Sequence, residues 1–316
     1  MYFLGITWNP NETLFSLGPL QIKYYNLLWI AAFAIGWFVM KRIFTSEKKT
    51  VEQLDSLFIH CVVSIMLGAR LGHVFFYDWA YYKNHLLEIL LPIRESTRGT
   101  LFGFIDGYEF TGFTGLASHG ATIGAIIGIY LYCKKQDLKM LWVLDRAVVA
   151  SAFGLFCIRL GNFYNSEIVG TKVKESFIFA TRFVRDGIGQ NQAMSITKEK
   201  TVNAAYDALV SKPEFSEYLT KIPYKHPAQL YEGVLYIIMF AILYYIYWKT
   251  DKKNQPGFLF GVFMVLLWGI RFVVEFVKER QNELDESFTL AIGQMLSIPF
   301  IIIGLYFMFR PTKSTQ

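Results

Sequence analysis

Nine consecutive residues, Arg159-Leu160-Gly161-Asn162-Phe163-Tyr164-Asn165-Ser166-Glu167, carry the densest chemistry in this 316-residue chain. They close an otherwise apolar run that begins near Trp142. A run of that length crosses a bilayer, because a spanning helix needs ~20 apolar residues at about 1.5 Å each. An ionisable group inside such a run is expensive and by default marks a functional site. The alternative is an arginine that snorkels to the interface. Arg70 and Arg271 repeat the pattern in two further apolar runs. Glu275 follows Arg271 by four residues and Asn162 follows Arg159 by three, so each pair shares a helical face. Asp145 returns close to the Arg159 face but near the other end of the run, and a structural role suits it, by pairing with Arg146 or with another helix.

Three arginines around one place require an anion, and the guanidinium fork suits phosphate oxygens. In an outer leaflet that phosphate belongs to a lipid headgroup. The competing reading has Glu275, Glu232 and Glu167 pairing with the arginines as helix glue. It leaves no role for His119, which opens another apolar run inside Ser-His-Gly-Ala-Thr-Ile-Gly. Imidazole is the side chain suited to taking a proton at neutral pH.

The elements that must position these groups follow from composition. The chain is 53% hydrophobic and 17% aromatic, with only 18% charged residues, and its mean hydropathy is positive. That is too few charges for a soluble protein of this length. Apolar runs at about 25–44, 57–78, 119–133, 142–165, 229–248, 258–277 and 290–309 predict seven transmembrane helices. The fold class is therefore all-α and polytopic, a single transmembrane domain over 1–316 with a small external head segment. The third run is short and rich in glycine (Gly120, Gly124, Gly128), which predicts close helix packing. Lone Cys61, Cys133 and Cys157 support neither a zinc site nor a disulfide framework. The net charge of +6 sits in short clusters between apolar runs, which is not a nucleic-acid pattern.

Those clusters orient the chain. Lys41, Arg42, Lys48 and Lys49, then Lys134, Lys135 and Lys139, then Lys249, Lys252 and Lys253, then Arg310 and Lys313 all fall on one side if seven helices alternate. By the positive-inside rule the N-terminus is outside and the C-terminus cytoplasmic. The charged loop 278–286 is external, its Lys278 and Arg280 balanced by acids. The N-terminus, whose first positive charge is Lys23, lacks the pattern of a cleavable signal peptide. Two external segments are long: an interfacial arm, 79–118, with a helix expected at 84–92, and a head, 166–228, with a strand expected in 177–185 and a helix at 203–211. Counted from the cytoplasmic ends, Arg70, Arg159 and Arg271 lie ~20–24 Å up their helices. His119, Tyr24, Tyr25, Gln229, Tyr231 and Glu232 open theirs at that same outer end.

These residues resemble the bacterial phosphatidylglycerol–prolipoprotein diacylglyceryl transferase family. RLGNFYNSE resembles its G-R-x-G-N-F-x-N-x-E motif, with Ile158 in place of the first glycine. His119-Gly120 resembles its His-Gly motif, with Ala121 where a second glycine often follows. His226-Pro227-Ala228-Gln229-Leu230-Tyr231-Glu232 matches H-P-x-Q-L-Y-E, and Arg271-x-x-x-Glu275-Phe276 matches R-x-x-x-E-F. Arg70 in Gly-Ala-Arg-Leu-Gly and Tyr25 also fit. The resemblance runs from about 14 to 309 and leaves 171–225 unmatched.

The resemblance implies a transferase of lipoprotein biosynthesis in the bacterial inner membrane. The diacylglyceryl group of phosphatidylglycerol moves to the lipobox cysteine thiol of a preprolipoprotein, a thioether forms, and glycerol 1-phosphate leaves. It implies His119, Arg159 and Arg271 as catalytic residues. Arg159 also binds substrate, together with Arg70, Tyr25, Asn162, Glu167, Gly170, Glu275 and Tyr231. His119 would take the thiol proton, and Glu275 would orient Arg271. No cofactor or metal is implied, because the phosphate ester is already an activated donor. The rival reading is a transporter for an anionic lipid or solute, a class that tends to show internal repeats and midplane sites. A non-catalytic scaffold is a further rival, and it gives His119 nothing to do.

Overall fold

The structure, a computed structural model, describes residues 5–17, 20–101, 104–111, 115–279 and 290–311. It is mostly helical. Within the bilayer a helix satisfies its own backbone groups, and the long apolar runs take that form. Among the described residues six helices are long and apolar enough to cross a membrane. They are α1 (Tyr24–Ser46), α2 (Val51–Phe76), α6 (Met140–Tyr164), α11 (Ala228–Lys249), α12 (Phe258–Val274, continued by a 3-10 turn to Val277) and α13 (Ile292–Phe309). The seventh expected span forms a 19-residue helix, α5 (Ser118–Gln136). Its glycines, His119 and terminal lysines make it less apolar than the other six. The charged loop expected from 278 lies, from Arg280 onward, outside the described residues, as does Lys313.

The chain divides into two compact units. The second, 40–143, contains α2, α5 and the segment between them. Alternating small residues let α2 and α5 pack backbone to backbone: a Cβ on Gly72 would lie 2.8 Å from the Cα of Gly120. The Ala117 amide, just ahead of α5, donates to the Ala69 carbonyl at 2.9 Å. The helix expected at 84–92 is reduced to one turn, α4 (Leu87–Leu90), with another single turn, α3 (Trp79–Tyr82), ahead of it. Pro92 disfavours helical geometry in the residue before it, and Leu91 is extended, at φ −104° and ψ 142°. A hairpin follows, β4 (Ile93–Leu101) with β5 (Ile105–Phe110).

The first unit comprises 1–39 and 144–316. Its N-terminal strand β1 (Ile6–Trp8) pairs in parallel with β6 (Thr181–Phe183), and β2 (Thr13–Leu17) pairs with β3 (Leu20–Lys23). These three two-stranded sheets correct the all-α expectation. Between α6 and α11 the expected strand shortens to β6 and the expected helix forms as α9 (Val202–Ser211). Around α9 lie α7 (Val184–Gly187), α8 (Gln190–Thr197) and α10 (Ser216–Lys221). Val184, Ile188, Ala205, Tyr206, Leu209 and Ile222 form its core.

Asp145 has the structural role its position suggests. It is fully buried on α6, and its carboxylate accepts hydrogen bonds from the amides of Gly257 (2.6 Å) and Phe260 (2.9 Å). It thereby caps the start of α12 from a neighbouring helix, while Arg146 stands 3.9 Å away. Asp145→Ala leaves two buried donors unpaired, and we expect a loss of about 1–3 kcal/mol for each. A lowered thermal unfolding midpoint in detergent, with Asp145→Asn less affected, is the expected result.

Candidate functional site

α6 ends at Tyr164 and the chain turns sharply, with Ser166 and Ile168 in the left-handed region at φ 54° and 60°. The turn folds Glu167 back onto the helix it leaves: its amide donates to the Asn162 carbonyl at 3.0 Å. Its carboxylate accepts from Asn162 Nδ2 (3.2 Å) and Asn165 Nδ2 (3.0 Å). The Glu167 carbonyl is held by Gln229 Nε2 at 2.6 Å. Asn162, so oriented, presents Oδ1 to Arg159 Nη1 at 3.1 Å. On the other side Glu232 of α11 forms an ion pair with Arg159 Nε. The Arg159 side chain is 12% exposed and that of Glu232 3%, so this is a desolvated pair.

Glycines admit the neighbours of this network. A Cβ on Gly161 would strike the ring of Tyr25, so the Tyr25 ring lies directly on the RLGNF turn of helix. Gly233 of α11 lets that helix approach Arg159, whose Cβ would be 3.7 Å from a Cβ there. Gly170 is hemmed in by Val277 and His226 and donates its amide to the His226 carbonyl at 2.9 Å. His226 Nδ1 stands 3.0 Å from the Tyr231 hydroxyl. Gly170 and Tyr231 thus form one packed corner, which fixes the start of α11.

Arg271 of α12 reaches the same region. The fully buried Tyr236 of α11 interacts electrostatically with Arg159, Arg271 and Glu232. Arg271 also stacks over Trp268, at 5.3 Å from the ring centre. The expected Arg271–Glu275 pair is corrected: among the described residues Glu275 pairs with Lys278 at 3.7 Å. Its carboxylate lies against Gly293, in the first turn of α13, where helix amides favour a negative charge. The backbone still follows the helix at Glu275, whose amide bonds the Arg271 carbonyl, but its carboxylate turns to Lys278 and the first turn of α13. The Arg159 network therefore contains two carboxylates, Glu232 paired with Arg159 and Glu167 bound to Asn162.

The second unit holds the remaining two candidates. Arg70 is buried, but its Nε donates to the Ile89 carbonyl at 2.9 Å and its Nη2 to the Glu88 carbonyl, over the Tyr82 ring at 4.7 Å. These bonds anchor α4 to α2, so Arg70 acts here as a tether. His119 sits in the first turn of α5, exposed, and makes no hydrogen bond or ion pair among the described residues.

His226, just outside the membrane-spanning part of α11, is pushed below its ordinary value of 6.5 by burial. The unfolded chain therefore takes up the proton first, and this contribution to stability is present above about pH 6.5 and lost as pH falls. The unfolding midpoint in detergent is expected to drop between pH 7.5 and 5.5, and to drop less in His226→Gln. An equal drop would place the effect elsewhere.

These features define a multi-pass helical membrane protein with a buried arginine–acid centre. The sequence profile described as prolipoprotein diacylglyceryl transferase matches residues 12–310. A phosphatidylglycerol–prolipoprotein diacylglyceryl transferase of Bacteroides fragilis is 37% identical over 306 residues, covering 97% of this chain and 95% of the relative. Relatives of the same description in Chloroherpeton thalassium (32%, covering 98% of this chain and 96% of the relative) and Porphyromonas gingivalis (33%, 98% and 95%) agree. The chain belongs to the prolipoprotein diacylglyceryl transferase family.

Proposed function

We infer that this chain is a transferase that moves the diacylglyceryl group of phosphatidylglycerol onto a prolipoprotein, as the names of its relatives state for them. The observation that carries the reading is the family match over nearly the whole chain, and the transporter alternative is not favoured. The acceptor is the thiol of the lipobox cysteine. Its thiolate attacks the glyceryl carbon that bears the phosphate ester, a carbon–sulfur bond forms, and the carbon–oxygen bond breaks. Glycerol 1-phosphate leaves with the electron pair. Arg159, fixed by Glu232 and Asn162, and Arg271 grip the phosphate and stabilise its growing charge. His119 takes the thiol proton. Asn162 and Glu167 hold Arg159 or meet the glycerol hydroxyls, and Tyr25 shapes the pocket. Gly170, Tyr231 and Glu275 support its walls, and Arg70 holds the external arm. Purified protein given phosphatidylglycerol vesicles and a lipobox peptide should yield the thioether. An unmodified peptide together with anion flux would favour the transporter.

The membrane is the bacterial inner membrane, and α5 is the third of seven spans. The arm 79–118, the head 166–228 and the N-terminus face outward, with the C-terminus in the cytoplasm. Reporter fusions after Lys49, Lys135 and Lys253 are expected to read cytoplasmic. Periplasmic signals at two of them would overturn this topology.

A further inference from the structure

Among the described residues of the second unit, His85, Glu88 and Glu95 each bring one potential metal-ligand atom to the same place, all within 4.8 Å of one another. His85 lies in the turn ahead of α4, Glu88 in α4 and Glu95 in β4. The His85 ring stacks on that of Tyr81, with centres 4.2 Å apart, and its Nδ1 stands 3.0 Å from the Tyr81 carbonyl. A carbonyl only accepts, so in the neutral ring Nδ1 carries the proton and Nε2 presents a lone pair. That lone pair faces another acceptor, the Glu95 carboxylate, at 3.4 Å. Two facing acceptors call for a cation between them, either a proton or a metal ion. Glu88 decides between the two. It is 3% exposed, and its carboxylate forms no ion pair among the described residues. Arg70 donates to the Glu88 carbonyl and not to its carboxylate, and Arg94, which lines the same pocket, forms no ion pair with it. The carboxylate accepts from the Tyr81 hydroxyl and the Glu95 amide, both at 2.8 Å, which leaves a lone pair on each oxygen. A buried carboxylate requires a cation. One proton on His85 leaves the two carboxylates a positive charge short, and a dication matches both.

We propose that His85, Glu88 and Glu95 bind a zinc ion that ties α4, the turn ahead of it and β4 together. Zinc bonds of about 2.0–2.1 Å to nitrogen and oxygen, at tetrahedral angles, set neighbouring ligand atoms about 3.3 Å apart. His85 Nε2 and Glu95 already have that spacing. One imidazole and two carboxylates are a donor set that suits zinc. The supporting shell is present as well. The Tyr81 carbonyl fixes the tautomer of His85, and the Tyr81 hydroxyl and the Glu95 amide orient Glu88. His85 and Glu95 are partly exposed, which gives the ion an entry path and leaves its fourth position to solvent. Binding there does not depend on the transfer chemistry.

The test uses the untagged full chain in detergent, stripped with a chelator, given zinc sulfate and dialysed. Bound zinc is counted by elemental mass spectrometry, and its affinity is read by competition with a chromogenic chelator. The expected result is one zinc per chain, an unfolding midpoint that rises with zinc concentration, and an X-ray absorption spectrum with only nitrogen and oxygen neighbours. His85→Gln and Glu95→Gln change partly exposed side chains, so the fold persists, and each should weaken binding by at least about 10-fold. Tyr81→Phe removes a support of Glu88 and should weaken it by about 10- to 100-fold. A wild-type chain that holds no zinc has only an imidazolium–Glu95 ion pair here, and that overturns the inference. So does zinc bound equally well by wild type and both ligand variants. Sulfur neighbours in the spectrum would put the ion on the free cysteines and overturn it too.

Discussion

Arg159→Ala is expected to abolish transfer, and Arg159→Lys to lose nearly as much, by about 10²–10³-fold, the scale for removing one fixed donor to developing charge. The reason lies in the geometry. Nε is committed to Glu232 and Nη1 to Asn162 Oδ1, so the guanidinium plane is fixed in two directions. The remaining donors can then meet two oxygens of one phosphate, which an ammonium on a flexible stem cannot reproduce. Arg159→Lys keeps a cation beside the buried Glu232, so a loss there reports the fork and not the charge. The measurement pairs transferase rate with phosphatidylglycerol affinity. A Lys variant with most of its activity would show that a point charge suffices, and normal binding and turnover in Arg159→Ala would make Arg159 helix glue.

The second large effect is expected at His119. His119→Ala should lower the rate by about 10²–10⁴-fold at neutral pH while donor binding changes little. A free thiol ionises near pH 8.5, so the variant should regain activity as pH rises and the thiolate forms unaided. The exposed imidazole at the start of α5, without a hydrogen-bond or ion-pair partner among the described residues, suits a group that must accept a proton from an arriving substrate. Full activity at neutral pH would remove His119 from the chemistry. A loss that stays constant with pH would assign it to binding.

The six apolar helices were legible because length and hydropathy alone determine them, and their ends fall within a few residues of the sequence reading apart from the start of α2. The Arg159–Asn162–Glu167 group was legible because its members lie in one turn and its continuation. Asp145 was read as structural, but its partners, amides 112 and 115 residues away, follow only from the packing of α6 against α12. Arg70 looked like a free cation because the carbonyls that occupy it belong to an irregular segment. Glu275 looked like the partner of Arg271 because nothing local announces the approach of Gly293, against which its carboxylate lies. The β1–β6 pair joins segments some 175 positions apart in register, Ile6 opposite Thr181, and no periodicity reports such a contact. Pro92, by contrast, was a readable stop, and it is where the expected arm helix gives way to a hairpin.

In the proposed reaction a thiol displaces the phosphate of the donor. Its most direct measurement is the mass balance of one reaction: purified protein, phosphatidylglycerol with a labelled headgroup, and a lipobox peptide. The expected result is one labelled glycerol 1-phosphate released for each peptide that gains a diacylglyceryl thioether, with neither product when the peptide cysteine is replaced by serine. Labelled phosphate released without peptide modification, or peptide modified without release, would contradict it.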